Sequence, residues 1–173
     1  MRLKKINEEV LFNQEDIVCI DYNDIKYLKE KSVNNLSKKL RICAHTNVDD
    51  PLHEMIIAHS KGNYIRPHKH LFKSESFHIV EGYMDVIIFD DYGNVNRIIK
   101  MGEYSSNYSF FYRISFGFYH TIIPISEIVV FHEITNGPFQ KDDNVWAEWS
   151  PKEREYNRIN LYIDSIYKTI DCL

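Results

Sequence analysis

Three imidazoles and one carboxylate stand out as the residues of this chain that can do chemistry. The run Gly62-Asn-Tyr-Ile-Arg-Pro-His68-Lys-His70-Leu-Phe-Lys-Ser-Glu75 closes at Gly82, and His120 follows far downstream in Ser115-Phe-Gly117-Phe-Tyr-His120. Imidazole nitrogens with a carboxylate oxygen suit a divalent first-row transition ion, and four protein donors leave coordination positions open to water, substrate or dioxygen. The donor types admit Fe(II), Mn(II), Ni(II) or Zn(II) without choosing among them, because selectivity follows geometry and supply.

The spacing constrains the elements that must carry these side chains. On a strand, alternate residues share a face, so His68 and His70 point the same way roughly 7 Å apart. Glu75 lies an odd number of residues beyond His70, and a straight strand would send it to the opposite face. The stretch Leu71 to Ser74 therefore has to turn, returning Glu75 beside the histidines on a neighbouring strand. Gly62 and Gly82 mark places where backbone angles or close approach favour glycine. His120 has to arrive from a distant strand, which requires a closed or sandwiched sheet.

The pattern Gly-x5-His-x-His-x4-Glu-x6-Gly over residues 62–82 resembles the first motif of the cupin superfamily without a gap. The second cupin motif, Pro-x-Gly-x-x-His-x3-Asn, is matched at Gly117 and His120, with Ser115 for the proline and Pro124 for the asparagine. A narrower resemblance runs over roughly residues 1–150. It rests on Arg41-Ile-Cys-Ala-His45, Tyr64 to His70, Glu81-Gly82, Phe89 to Gly93, Tyr119-His120-Thr121, Glu133 to Phe139 and Trp146 to Pro151. Together these are similar to the WbuC family of cupin-fold metalloproteins, found among bacterial O-antigen and other surface-polysaccharide genes. The resemblance implies a single jelly-roll barrel, one divalent metal on His68, His70, Glu75 and His120, and a sugar or nucleotide-sugar ligand.

Other residues are candidates for substrate contact or proton transfer. Tyr64 and Arg66 share strand parity with the two histidines, and an inward Arg would suit a carboxylate or phosphate. Against this, Pro67 disturbs a strand and can turn Arg66 outward. His45 and Glu133 match family positions; His45 is a candidate acid–base or a structural histidine, and Glu133 is a candidate general base, a partner that orients a metal-binding histidine, or a solvated edge acid. His78 has parity opposite Glu75 and should face away. His53, His59 and His132 belong to no constellation and are read as surface or core residues. Trp146 and Trp149 are expected to pack under the C-terminal segment.

Two enzyme chemistries fit this set. A Lewis-acid metal would polarise a sugar carbonyl or hydroxyl while Glu133 or His45 moves a proton, giving isomerisation, epimerisation or elimination. A redox iron would activate dioxygen. A non-catalytic ligand-binding cupin is the third reading, since fold does not fix function.

The elements around the site follow from periodicity. Short strands are expected near Val10–Phe12 and Ile17–Ile20, then a helix from about Asp24 to Leu40 with Ile25, Leu28, Ser32, Leu36 and Leu40 on one stripe. From about Arg41 to Trp149, short apolar runs such as Met55–Ala58, Phe77–Val80, Met84–Phe89, Arg97–Ile99 and Ile128–Ile134 alternate with turn signals. Asp90-Asp-Tyr-Gly93-Asn reads as a hairpin turn. The organisation is a mainly β, single cupin barrel at 41–149, an N-terminal strand and helix segment at 1–40, and a helix at 150–173. That last helix should start at Ser150-Pro151-Lys-Glu153. Its stripe of Tyr156, Ile159, Ile163, Ile166 and Ile170 suits docking on the barrel or a two-helix seam in a homodimer.

Composition bounds the remaining classes. A chain of 173 residues can bury one good core. The 12 Tyr and 10 Phe suit a β-rich interior. A formal charge of −4 offers no general attraction to nucleic acid or an anionic membrane. Cys19, Cys43 and Cys172 are widely spaced and odd in number, which fits a reducing compartment. The N-terminus lacks the apolar core of a signal peptide, so a cytoplasmic location is expected.

Overall fold

The computed structural model describes residues 1–170. Strands β1 (Leu3–Asn7) and β2 (Val10–Asn13) precede helix α1 (Tyr22–Asn34), then β3 (Lys39–Cys43), β4 (Leu52–Ser60), β5 (His68–His70), β6 (Glu75–Glu81) and β7 (Tyr83–Phe89). Next come β8 (Val95–Gly102), β9 (Phe111–Ile114), β10 (Tyr119–Pro124), β11 (Ile128–Asn136), β12 (Asn144–Trp146) and α2 (Tyr156–Ile170). The strands form a seven-stranded sheet in the order β1-β2-β3-β4-β11-β6-β9 and a five-stranded sheet in the order β12-β5-β10-β7-β8. This is the mainly β, two-sheet barrel with two flanking helices that the strand pattern implies.

Side-chain alternation divides the apolar residues into three layers. Val10, Phe12, Met55, Ile57, Phe77, Ile79, Met84, Val86, Val129 and Phe131 fill the space between the sheets. Leu11, Leu40, Ile42, Ala58 and Val130 point the other way and meet Leu28 and Ile25 of α1. Ile87 and Phe89 face outward from the second sheet and receive Ile166 and Tyr162 of α2. Phe131 is fully buried and lies edge-on to His59 and Phe77, with ring centroids 5.3 and 5.4 Å away. Phe131→Ala should cost about 3–5 kcal/mol of unfolding free energy in urea titration. A loss below about 1 kcal/mol would mean that the inter-sheet layer packs elsewhere.

Several boundaries differ from expectation. Helix α1 ends at Asn34, because Asn35 breaks it and its side-chain amide holds the Glu8 and Lys39 carbonyls. Leu36 is consequently exposed, and Leu40 reaches the α1 layer from β3 instead. The start is a capping box, with Asp21 accepting from the Asn23 and Asp24 amides while Asp24 accepts from Asp21. Ile17–Ile20 forms no strand, and Ile17 is exposed. Ser150 does not cap α2. Its hydroxyl is taken by the Ala147 carbonyl and by Arg66, so the helix begins at Tyr156.

Helix α2 docks on its own barrel. Ile159 and Ile166 are buried, and the Tyr167 hydroxyl donates to Asp85 Oδ2 at 2.9 Å. The side chain of Ile170, and Cys172, lie outside the described residues. Among the described residues Cys19 is exposed, Cys43 is buried, and both are free thiols. No helix among them is long and apolar enough to cross a membrane. Both bracketing glycines have positive φ, 81° at Gly62 and 84° at Gly82. At Gly82 a Cβ would lie 2.5 Å from the Ile128 carbonyl oxygen, so glycine is needed sterically as well.

Candidate metal centre

Strand β5 lies between β12 and β10, and its first residue, His68, directly faces His120 across the antiparallel pair. His70 is two residues on and points to the same side. The chain then turns at Leu71–Ser74 and enters β6 at Glu75, as the parity of the motif demands. Glu75 does not return on a neighbouring strand, however. It belongs to the facing seven-stranded sheet, so the chain changes sheets between the second and third candidate ligands. The departures at Ser115 and Pro124 leave His120 in register with His68.

One donor atom from each of His68, His70, Glu75 and His120 lies within 4.8 Å of the others. Glu75 Oε1 is 2.7 Å from His70 Nε2, and Oε2 is 3.0 Å from His120 Nε2. The Nδ1–H of His68 donates to the Arg66 carbonyl at 2.9 Å, and that of His120 to the Phe118 carbonyl at 3.1 Å. These bonds place the ring protons on the outer nitrogens, so both Nε2 lone pairs face inward. The His120 lone pair then confronts a carboxylate oxygen, an arrangement of two acceptors that calls for a cation between them. The donor set therefore fits a divalent transition ion.

Electrostatics agree with this picture. Burial pulls the His68 pKa down to about 4, with His120 adding to the effect, which keeps His68 neutral and fit to ligate. Burial raises Glu75, but the close His120 and His70 rings outweigh it and hold the carboxylate well below its ordinary range. For His70, burial works downward and the Glu75 hydrogen bond wins, raising its pKa.

Asp143 completes the surroundings of His70 and carries no sequence signal. It is buried in the short 3-10 turn Lys141–Asp143, with Oδ1 accepting the Phe72 amide at 2.8 Å and Oδ2 3.4 Å from His70 Nδ1. A carboxylate behind a ligand histidine fixes its ring and raises its basicity. Asp143→Asn keeps an acceptor for Phe72 but removes the charge. It should weaken binding of the metal about ten- to a hundredfold in a chelator-competition assay, and unchanged affinity would remove Asp143 from the centre.

The four candidate donors open onto a cavity of about 410 Å³ between the sheets, also lined by Arg41, His45, His53, His59, Lys73 and Glu133. Glu133 sits on β11 opposite Met55 and Phe77. Burial, then the charge of Glu75, raise its pKa to about 8. His45 Nδ1 accepts the Glu54 amide at 3.2 Å, and the ring stacks on His53 at 4.1 Å. Burial, then His53, lower its pKa, so it is neutral near pH 7.

Tyr64 and Arg66 are placed elsewhere. Residues 61–67 form no strand, so parity does not carry these side chains inward. The Tyr64 hydroxyl donates to the Pro151 carbonyl at 2.9 Å, and Arg66 donates to the Ala147 carbonyl at 2.7 Å and Ser150 Oγ at 3.2 Å. Neither lines the cavity. His78 is exposed beside Phe110, and His132 is 3.7 Å from Glu54. Trp149 packs among Phe89, Tyr119 and Tyr162, whereas Trp146 is exposed and lies against His68. His53 and His59 are cavity residues that sequence reading set aside. The signal for them was parity, since His53, Met55, Ile57 and His59 alternate along β4 and share its inner face.

Fold and donor set together define a cupin-fold protein with a candidate metal centre. A family model described as a domain of unknown function (DUF6016) matches residues 20–101. The fold is similar to that of protein SO0799 from Shewanella oneidensis, at 10% identity and a TM-score of 0.55, over 78% of this chain and 87% of that one. Oxalate decarboxylase from Bacillus subtilis gives 18% identity and a TM-score of 0.48 over 62% of this chain. This chain spans 27% of the length of that decarboxylase. KdgF from Halomonas sp. gives 12% identity and a TM-score of 0.46, over 60% of this chain and 82% of that one. No curated protein matches the sequence.

Proposed function

We propose that this cupin binds one divalent transition metal on His68, His70, Glu75 and His120 and acts on a sugar or nucleotide sugar of surface-polysaccharide synthesis. The reaction class is isomerisation, epimerisation or elimination. One observation carries the catalytic part: Glu133, a half-buried residue whose carboxyl ionises near 8, lines the same cavity as the four converging donors. A general acid–base works best with a pKa near the operating pH. The resemblance of residues 1–150 to polysaccharide-locus cupins supports the sugar class.

A metal in this centre supplies Lewis acidity toward a ligand carbonyl or hydroxyl. The chain's own residues do the rest. Glu133 takes a proton from a carbon or hydroxyl of the ligand and returns it, its carboxyl held between the two sheets. His45, anchored to the β4 backbone, offers its cavity-facing nitrogen as hydrogen-bond partner or second proton carrier. Phe77, Ile57 and Met55 form the apolar wall that limits water around the reacting atoms.

The test is elemental analysis of protein purified without added metal, followed by incubation of that native form with nucleotide sugars and product analysis by NMR. Stoichiometric metal with turnover of a sugar and loss of turnover in Glu133→Gln is the expected result. Metal-free protein, or a Glu133→Gln variant as active as wild type, would overturn the reading.

A further inference from the structure

The cationic groups of the cavity wall are not equivalent. Lys39 is paired with Glu9, its Nζ 3.2 Å from Oε2, and Lys73 lies 3.8 Å from Asp143 Oδ2. Arg41 also lines the cavity, from a solvent-exposed position, yet among the described residues its guanidinium makes no ion pair and no side-chain hydrogen bond. On β3 it shares the inner face with Cys43, and it lines the cavity together with His45, His59 and Glu133. His59 is buried near it, and its Nδ1 has no hydrogen-bond partner. Burial, then Lys39 and Arg41, lower its pKa to about 3, which leaves a neutral ring.

Strand register fixes the order of the groups. Cys43 is level with Met55 and Glu133, and Arg41 with Ile57 and Phe131, while Glu75 is level with Thr135 and His53. Along the strand direction Glu133 is therefore two residues, about 7 Å, from the level of Glu75, and Arg41 is four residues, about 13 Å, from it. A ligand held at both ends passes Glu133 in between. Unpaired guanidinium donors in a fixed fork match an oxyanion bidentately.

We propose that Arg41, with His59 behind it, forms an oxyanion subsite at the end of the cavity away from the metal ligands, taking the carboxylate or phosphate of an anionic sugar. This deepens the proposed function and rests on it only for the placement of the ligand's other end. Glucose, glucose 6-phosphate and glucuronate share a skeleton and differ in the anion, so they separate the two sources of charge.

Dissociation constants are measured calorimetrically for these three ligands on wild type, Arg41→Gln and Arg41→Lys, each with its metal content determined, and on the His68→Ala variant. The anionic sugar of the correct class should bind at least about tenfold more tightly than glucose, which is about 1.4 kcal/mol. Arg41→Gln should lose that margin without losing metal, and Arg41→Lys should keep part of it. Sodium sulfate should displace the anionic sugar from wild type, a test that requires no variant. In His68→Ala the margin should persist, because it belongs to Arg41 and not to the metal. An equal affinity for all three sugars, or an undiminished margin in Arg41→Gln, would overturn the subsite. A margin that disappears in His68→Ala but survives in Arg41→Gln would assign the anion to the metal. Full metal occupancy in His68→Ala with the Arg41 margin intact would overturn the metal reading alone.

Discussion

His68→Ala should purify with metal content reduced from near stoichiometric to below about a tenth, because it removes one of four donors and unbalances the rest. Burial keeps His68 neutral, and its ring is fixed by the Arg66 carbonyl. In the variant, His120 loses the partner directly opposite it. The measurement is elemental analysis beside a thermal scan. The fold should survive, since His68 is only partly buried and stands at the start of a three-residue strand. Full metal occupancy in a folded variant would show that the four residues are not the ligand set.

The second large effect concerns pH. In the unfolded chain the Glu133 carboxyl ionises near 4.5, and in the folded chain near 8. Between these values the native state binds the additional proton, so the Glu133 contribution to stability is complete below about 4.5 and is lost as pH rises through 8. In metal-free wild type this contribution should decline by up to about 1.4 kcal/mol per pH unit, in total on the order of 5 kcal/mol. Glu133→Gln should abolish that decline. Urea titrations of both proteins at several pH values give the difference directly, since the decline that His70 adds in the same direction is present in both. Parallel stability profiles for the two proteins would mean that the carboxyl is not held neutral inside the barrel.

Both expectations draw on residues that differed greatly in how visible they were in the sequence. His68, His70 and Glu75 were legible because strand alternation and a forced turn leave a fixed spacing, and the turn is present. What alternation could not tell was that the turn leads into the opposite sheet. That is decided by pairing with β11 and β9, contacts remote in sequence. Arg66 and Tyr64 show the limit of the same rule. Parity holds only inside a strand, and the segment ahead of His68 is irregular.

Asp143 was out of reach for a different reason. Its role comes from the pairing of β12 with β5, and nothing in Lys-Asp-Asp-Asn announces that pairing. The β4 histidines were accessible in principle, because they alternate with Met55 and Ile57. The C-terminal stripe was legible as amphipathic, but only the contacts of Ile159 and Ile166 identify the surface it covers.

The segment ahead of His68 also ties distant parts of the chain together. Arg66 orients the His68 ring through its carbonyl and grips residues 147–150 through its guanidinium, contacts 81 and 84 residues away along the chain. The seat of residues 64–68 is therefore built from both ends of the barrel chain, through β10 and through residues 144–150, so a truncation that removes the latter should loosen His68 as well as α2.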